Sequence, residues 1–284
     1  MKVLKDSKAL RRALASAGNR GRRVGFVPTM GFLHQGHLSL VRRARRENDI
    51  VVASIFVNPL QFGPKEDLDL YPRDFAHDKK LLEHEKTDFL FAPLAEEFYK
   101  ADFQTSLSVK KLSRPLCGLT RPTHFAGVCT VVLKLLNSVM PDTLYLGQKD
   151  YQQFCVIKQL VRDLDFPVKI TLMPIVREAD GLAMSSRNVR LSLAQRQEAP
   201  LLYQSLKDAQ RRVKQGPRAW ADIKQAIHSR LKGLRHGRID YVEIVDAQTL
   251  ESVIEFKAGS RVLAAAAVFF GKTRLIDNVL IKVR

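Results

Sequence analysis

The sequence predicts an α/β protein in two parts, a parallel-sheet domain followed by a smaller α+β domain with antiparallel strands. Three observations predict it. Up to about residue 175, short apolar runs alternate with helical apolar spacing, which is the rhythm of βαβ units. After Ile175 that rhythm stops, and a polar stretch containing Gly181, Ser185 and Ser186 intervenes. Beyond it, two helical patterns precede three strand-like runs, the last two joined by the tight-turn pair Gly271-Lys272.

In chain order, the run at 24–27 leads to a helix from about Gly36, the run at 50–57 to a helix near 74–85, and a third run falls at 88–92. A helix follows with apolar positions Phe125, Val128, Val132, Leu135, Leu136 and Val139, then a run at 144–147, a helix after Asp150 and a run at 168–175. Such alternation builds a Rossmann-like parallel sheet covered by helices, with ligands at the carboxyl ends of the strands. Ser192-Leu193-Ala194-Gln195 has capping-box spacing and is expected to open a long helix. A second helix is expected near 218–232, then strands at 239–245, 262–270 and 274–281. The expected domains are therefore residues 1–175 and 176–284.

Composition removes several classes. No apolar run reaches the roughly 18 residues a bilayer-spanning helix needs, since even the stretch 262–270 ends at Gly271-Lys272. The opening Met1-Lys2-Val3-Leu4-Lys5-Asp6 lacks a signal-peptide core, so a cytoplasmic location is expected. Cys117, Cys129 and Cys155 form no C-x-x-C pair and read as buried small apolar residues. The net charge of +18 would suit a polyanion partner. The basic residues are nevertheless spread along the chain, and the densest cluster, Arg42-Arg43-Ala44-Arg45-Arg46, falls on an amphipathic helix as a solvated face would. Neither nucleic-acid nor membrane binding is expected as the main role.

Four stretches carry chemistry. In Met30-Gly31-Phe32-Leu33-His34-Gln35-Gly36-His37, a strand and turn bring H-x-G-H to a helix start, where unpaired amides carry partial positive charge. Two imidazoles three residues apart there can donate to one phosphate, and Gly36 permits close approach of a nucleotide. Zinc ligation by the pair would need a third ligand from elsewhere and lacks the built-in base of H-E-x-x-H, and a purely structural pair is a further alternative. Asn58-Pro59-Leu60-Gln61 places amides just past a strand end, suited to a hydroxylated substrate but also to a common turn. Gly147-Gln148-Lys149-Asp150 ends a strand and opens a helix, with Lys149 suited to phosphate charge and Asp150 to a helix cap or a magnesium-bound water. Met184-Ser185-Ser186-Arg187 combines hydroxyls with a guanidinium fork in a polar loop. Two further features carry less: Gly271-Lys272-Thr273 imitates a P-loop tail, but Ala266 stands where the motif needs glycine, and His124 at another helix start is as suited to capping as to ligand contact.

Together these stretches resemble the pantothenate synthetase (pantoate–β-alanine ligase) family from about Val24 to Asn188, and again at Leu275-Ile276-Asp277-Asn278. H-x-G-H and Met184-Ser185-Ser186-Arg187 resemble the HIGH and KMSKS signatures of the nucleotidylyltransferase superfamily. The segments 56–63, 147–153 and 180–188 narrow the likeness to this family. The resemblance implies ATP-dependent joining of (R)-pantoate to β-alanine, releasing AMP and pyrophosphate through a pantoyl adenylate. It implies ATP contacts at Met30, Gly31, His34, Gly36, His37, Gly147, Gln148, Lys149, Asp150, Val176, Met184, Ser185, Ser186 and Arg187. Gln61 and Gln153 match the pantoate contacts, and Gln61 also the β-alanine contact. His37, with His34, Lys149 and Arg187, matches the catalytic set. Mg²⁺ accompanying ATP, no protein-held metal, a homodimer and a C-terminal lid are implied as well.

Overall fold

The computed structural model describes residues 1–284 except 19, 20, 65, 216–218, 256 and 284. By internal packing the chain divides into two compact units, Met1–Gln148 with Gln153–Pro174, and Lys149–Gln152 with Ile175–Arg284.

The first unit holds β1 (Lys2–Leu4), α1 (Ser7–Ser16), β2 (Val24–Thr29), α2 (Gln35–Glu47), β3 (Ile50–Ile55), α3 (Phe75–His84) and β4 (Phe89–Phe91). After two short helices, α4 (Ala95–Phe98) and α5 (Cys117–Thr120), come α6 (His124–Val139), β5 (Thr143–Gly147), α7 (Tyr151–Asp163), whose first two residues count with the second unit, and β6 (Lys169–Met173). The six strands form one sheet in the order β1-β4-β3-β2-β5-β6, with every pairing parallel. β2 and β3 are buried along almost their whole length, as strands covered on both faces are. Val27, Val51, Ala53, Leu90 and Tyr145 share a core with Leu40, Val41 and Ala44 of α2 and Leu82 of α3. α6 is apolar nearly all round and buried accordingly, packing on α1 and β2. From β2 the chain moves outward to β3 and β4, then returns to the other side of β2 for β5 and β6. That reversal makes the carboxyl ends of β2 and β5 the switch point of the sheet, the place where open α/β folds bind ligands.

Differences from expectation are local. The run at 50–57 is strand only to Ile55, because Asn58 caps a 3-10 turn at Pro59–Gln61 and pulls the chain from the sheet. The run at 168–175 is strand over Lys169–Met173. β1 is too short to show as a run, and α1 is not among the expected helices although Asp6 caps it and Leu10 and Leu14 form its buried face; β1 extends the sheet beyond β4.

The second unit holds α8 (Leu193–Glu198), α9 (Leu201–Lys214), α10 (Trp220–Lys232), β7 (Gly237–Asp246), β8 (Arg261–Phe270) and β9 (Thr273–Lys282). The capping box at Ser192 and Gln195 forms, but the expected long helix is two: Pro200 cannot continue α8 and instead opens α9. Of the helix expected at 218–232, Arg218 lies outside the described residues and the helix itself runs Trp220–Lys232. β7-β8-β9 is an antiparallel sheet whose middle strand buries Ala264, Ala265, Ala266 and Ala267, of which Ala264 and Ala266 face the core shared with α9 and α10. Gly271 adopts φ +59° in the two-residue hairpin turn between the Phe270–Thr273 pair, so Gly271-Lys272 is a turn and not a phosphate loop. Among the described residues no helix is long and apolar enough to cross a membrane, and all three cysteines are buried thiols. On α2, Arg42, Arg43 and Arg45 are paired with Glu85, Glu47 and Asp88, so most of that basic cluster is neutralised within its own unit.

Candidate functional site

The turn after β2 is built by two residues in left-handed conformation, Gly31 at φ +84° and Phe32 at φ +50°. Consecutive residues of this kind expose their amides on one side, and here a carboxylate from α3 fills that concavity. Asp78 accepts from Phe32 N and Leu33 N through separate oxygens, each at 2.7 Å, and is 1% exposed. A Cβ at Gly31 would stand 3.0 Å from Asp78 Oδ2, so the close bracing and the left-handed backbone both call for glycine. Burial pushes the Asp78 carboxyl above its ordinary value, opposed by the two amide hydrogen bonds and by His77. Sequence reasoning missed Asp78, which sits among His77, Lys79 and Lys80 on the helix expected near 74–85 with no motif to mark it.

The braced turn delivers His34 as the N-cap of α2. His34 Nδ1 accepts from Gly36 N at 3.1 Å, and His37 Nδ1 accepts from His34 N at 3.3 Å, a capping box made of two imidazoles. The rings lie 4.1 Å apart, centroid to centroid. Because each Nδ1 accepts an amide proton, the proton of either neutral ring sits on Nε2, making both Nε2 atoms donors beside the positive end of the α2 dipole. H-x-G-H therefore yields paired donors through backbone capping.

A second group gathers around Gln61. Asn58 Nδ2 donates to Gln61 Oε1 at 3.2 Å and to Gly127 O at 3.1 Å, while Tyr99 Oη donates to Asn58 Oδ1 at 2.9 Å. Gln61 Nε2 points at Met30 Sδ, 2.8 Å away. These bonds fix which end of each amide faces which way, the point a sequence cannot settle. The Gln61 carbonyl is held by His124 Nδ1 at 2.8 Å and Arg121 Nη2 at 3.3 Å, so His124 has a structural partner in this turn. Arg121 also forks onto Glu66 at 2.7 and 2.5 Å. Gly127 makes this possible: a Cβ there would lie 2.1 Å from Leu60 O. Met30, Gln61 and the histidine turn thus belong to one region at the carboxyl end of β2.

Past β5, Gly147 has open space where a Cβ would stand, and Gln148–Asp150 forms a 3-10 turn into α7, which carries Gln153. In the second unit, Lys149 Nζ lies 3.7 Å from Asp150 Oδ2, and Asn278 Nδ2 holds Lys149 O at 3.1 Å. Val176 O accepts from Met184 N at 3.0 Å, closing a hairpin whose tip is Asp180-Gly181. Ser185 caps the following 3-10 turn, its Oγ accepting from Arg187 N at 3.2 Å, and Ser186 is buried. Arg196 clamps Glu178 and Asp180 at 2.5 Å each, and Asn188 Nδ2 donates to Glu178 at 2.7 Å. Arg177 pairs with Asp277 at 2.6 Å and stacks 3.5 Å over Tyr203. Among the described residues no three His, Cys, Asp or Glu side chains converge as a metal site.

A parallel sheet with a switch point between β2 and β5, and an imidazole capping box on the helix after β2, define a Rossmann-like α/β protein of the kind that binds nucleotides at a helix start. The comparisons with known proteins narrow that class. Residues 2–280 match the family model for pantoate-beta-alanine ligase. Pantothenate synthetase of Thermotoga neapolitana is 52% identical over 281 residues, covering 99% of this chain and 100% of that protein. The crystal structure of pantothenate synthetase from Thermus thermophilus superposes with a TM-score of 0.92 at 47% identity, covering 98% of this chain and 99% of that one. Pantoate-beta-alanine ligase from Francisella tularensis, solved in complex with beta-gamma ATP and β-alanine, gives 0.80 at 34% identity, covering 99% and 97%. The chain belongs to the pantoate–β-alanine ligase family and is a ligase of pantothenate biosynthesis.

Proposed function

We propose that the chain condenses (R)-pantoate with β-alanine using ATP, giving pantothenate, AMP and pyrophosphate through a pantoyl adenylate. The observation that carries this reading within the family is the His34–His37 pair, whose Nδ1 atoms are both engaged by amides so that both Nε2 atoms are donors. The beta-gamma ATP and β-alanine bound by the Francisella tularensis relative support the same substrates here.

A carboxylate does not acylate an amine at neutral pH, so it must first acquire a leaving group. A pantoate carboxylate oxygen attacks the α-phosphorus of ATP; that P–O bond forms as the bridging P–O bond breaks, and pyrophosphate leaves. The neutral amine of β-alanine then attacks the acyl carbon; the C–N bond forms, the C–O bond to AMP breaks, and the amine gives up one proton to the departing phosphate or to water. Both steps rely on positioning and on donors aimed at phosphate oxygens. In this reading ATP contacts Met30, Gly31, His34, Gly36, His37, Gly147 and Gln148. Lys149, Asp150, Val176, Met184, Ser185, Ser186 and Arg187 complete its contacts. His37, His34, Lys149 and Arg187 offset charge on the phosphates. Gln61 and Gln153 hold pantoate, and Gln61 also receives β-alanine.

Magnesium fits as an ion carried by the nucleotide: Asp150 offers a single accessible carboxylate, and Mg²⁺ is commonly held by one or two carboxylates, phosphates and retained waters. When bound it would neutralise phosphate charge. A homodimer is part of the proposal and is sized by sedimentation. The chemical test is pyrophosphate release from ATP with pantoate, followed by AMP and pantothenate on adding β-alanine. Pantoate-dependent pyrophosphate, with pantothenate and AMP made only when β-alanine is present, is expected. Folded, ATP-binding protein that releases none would refute the assignment.

A further inference from the structure

Asp277 and Asn278 lie on β9, remote in sequence from every stretch given a role above. Both are buried, Asp277 at 2% exposure and Asn278 at 4%. A buried carboxylate is costly unless fully engaged, and Asp277 is. Its two oxygens take Arg177 Nη1 at 2.6 Å and Nη2 at 3.0 Å, and Oδ1 also accepts from Asn278 N at 2.7 Å. Arg177 in turn donates to Gly181 O at 3.1 Å and forms the base of the 176–184 hairpin, where it bridges Ala183. The neighbouring side chain reaches the other way, Asn278 Nδ2 donating to Lys149 O at 3.1 Å. Two adjacent residues on one rigid strand therefore grip two segments of the second unit, the turn bearing Lys149 and the hairpin leading into Ser185-Ser186-Arg187.

We propose that Asp277 and Asn278 are positioning residues for the first chemical step, Asn278 setting the place of Lys149 through its carbonyl and Asp277 setting the 177–187 loop through Arg177. This deepens the reading of Lys149 and Arg187 as phosphate contacts and rests on it. Neither β9 residue touches the reacting atoms in this account. The strand supplies a fixed reference because it is hydrogen-bonded to β8 along its length.

The test separates placement from folding. Asn278→Ala and the near-isosteric Asn278→Leu both remove the donor to Lys149 O, and Leu keeps the volume if Ala weakens the fold. Pantoate-dependent pyrophosphate release is measured for each, alone and combined with Lys149→Ala, beside a thermal melt. The expected result is a fall in kcat of about 10- to 100-fold with KM for pantoate nearly unchanged, the scale of loss for a misplaced contact group. In the Lys149→Ala background the further loss should shrink to less than about threefold, because residues that act through one another are not additive. Turnover within about twofold of wild type in either folded variant, or fully additive losses, overturns the proposal. A wild-type rate for Lys149→Ala alone would instead remove the lysine from the chemistry, so the two failures are distinguishable. A variant that melts lower but turns over normally below its Tm shows a merely structural role and also overturns it.

Discussion

Asp78→Asn tests whether the histidine turn depends on a buried carboxyl that accepts through both oxygens. The aspartate satisfies two buried amides, Phe32 N and Leu33 N, each at 2.7 Å. Asparagine keeps one acceptor and turns an NH₂ toward the other amide, so one hydrogen bond becomes a donor facing a donor. A bond to a charged acceptor contributes about 1.5–3 kcal/mol, and an amide left unsatisfied costs about 1–3 kcal/mol. Against this, asparagine removes the cost of burying a charge, the same burial that raises the Asp78 pKa. The net expectation is a loss of about 1–3 kcal/mol, or a Tm lower by roughly 2–8 °C at this chain length. pH sharpens the test. A folded-state pKa raised above the unfolded value means the folded protein holds the extra proton, so this stabilisation is full below the ordinary carboxylate range and is lost as pH rises through the raised value. Protonated Asp78 still accepts through both oxygens, which asparagine cannot do. The Tm gap between wild type and Asp78→Asn should therefore be wider at acid than at neutral pH, with turnover reduced at both. Equal melting and equal turnover across that range would refute the bracing argument.

His37→Ala should lower pantoate-dependent pyrophosphate release by about 10²- to 10³-fold, the cost of one preorganised donor, while the lost cap bond to His34 N costs only about 1 kcal/mol in a melt. Gly127→Ala sets a Cβ 2.1 Å from Leu60 O and should cost about 1–3 kcal/mol by denaturant titration while raising KM for pantoate as the Asn58–Gln61 turn shifts. Tyr99→Phe removes one donor to Asn58 Oδ1, which still accepts from Leu60 N, so about 1 kcal/mol and a few-fold rise in KM for pantoate are expected. Arg177→Met strands the Asp277 carboxylate at 2% exposure and should cost about 3–5 kcal/mol in a melt, most of it recovered in Arg177→Met/Asp277→Leu.

What was legible in the sequence was whatever repeats at short range. β2, β3 and β5 show as apolar runs because both faces are covered, and H-x-G-H shows because a helix start keeps its two imidazoles three residues apart. β1 was not legible, since three residues carry no pattern and its place beyond β4 is a long-range fact. The break at Pro200 had a signal in the proline itself, which the capping-box reading left unused; the proline is tolerated because it opens α9 instead of interrupting α8. Asp78 and the Arg177–Asp277 pair could not be read, for a common reason. Their partners are backbone amides or a side chain 100 residues away, and neither leaves a mark on local composition.

Those two hidden carboxylates have the same physical purpose. Nucleotide chemistry needs donors and cations held where phosphate charge appears, and flexible loops would pay for that order on each turnover. Burying a carboxylate against the loop's own amides or its arginine shifts the ordering into folding. Asp78 does so for the turn before His34, and Asp277 does so for the hairpin before Ser185. An acid buried in this way should matter more to turnover than to stability. Asp78→Asn should consequently show a proportionally larger free-energy loss in kcat than in unfolding, and the reverse ratio would mark the carboxylate as scaffold alone.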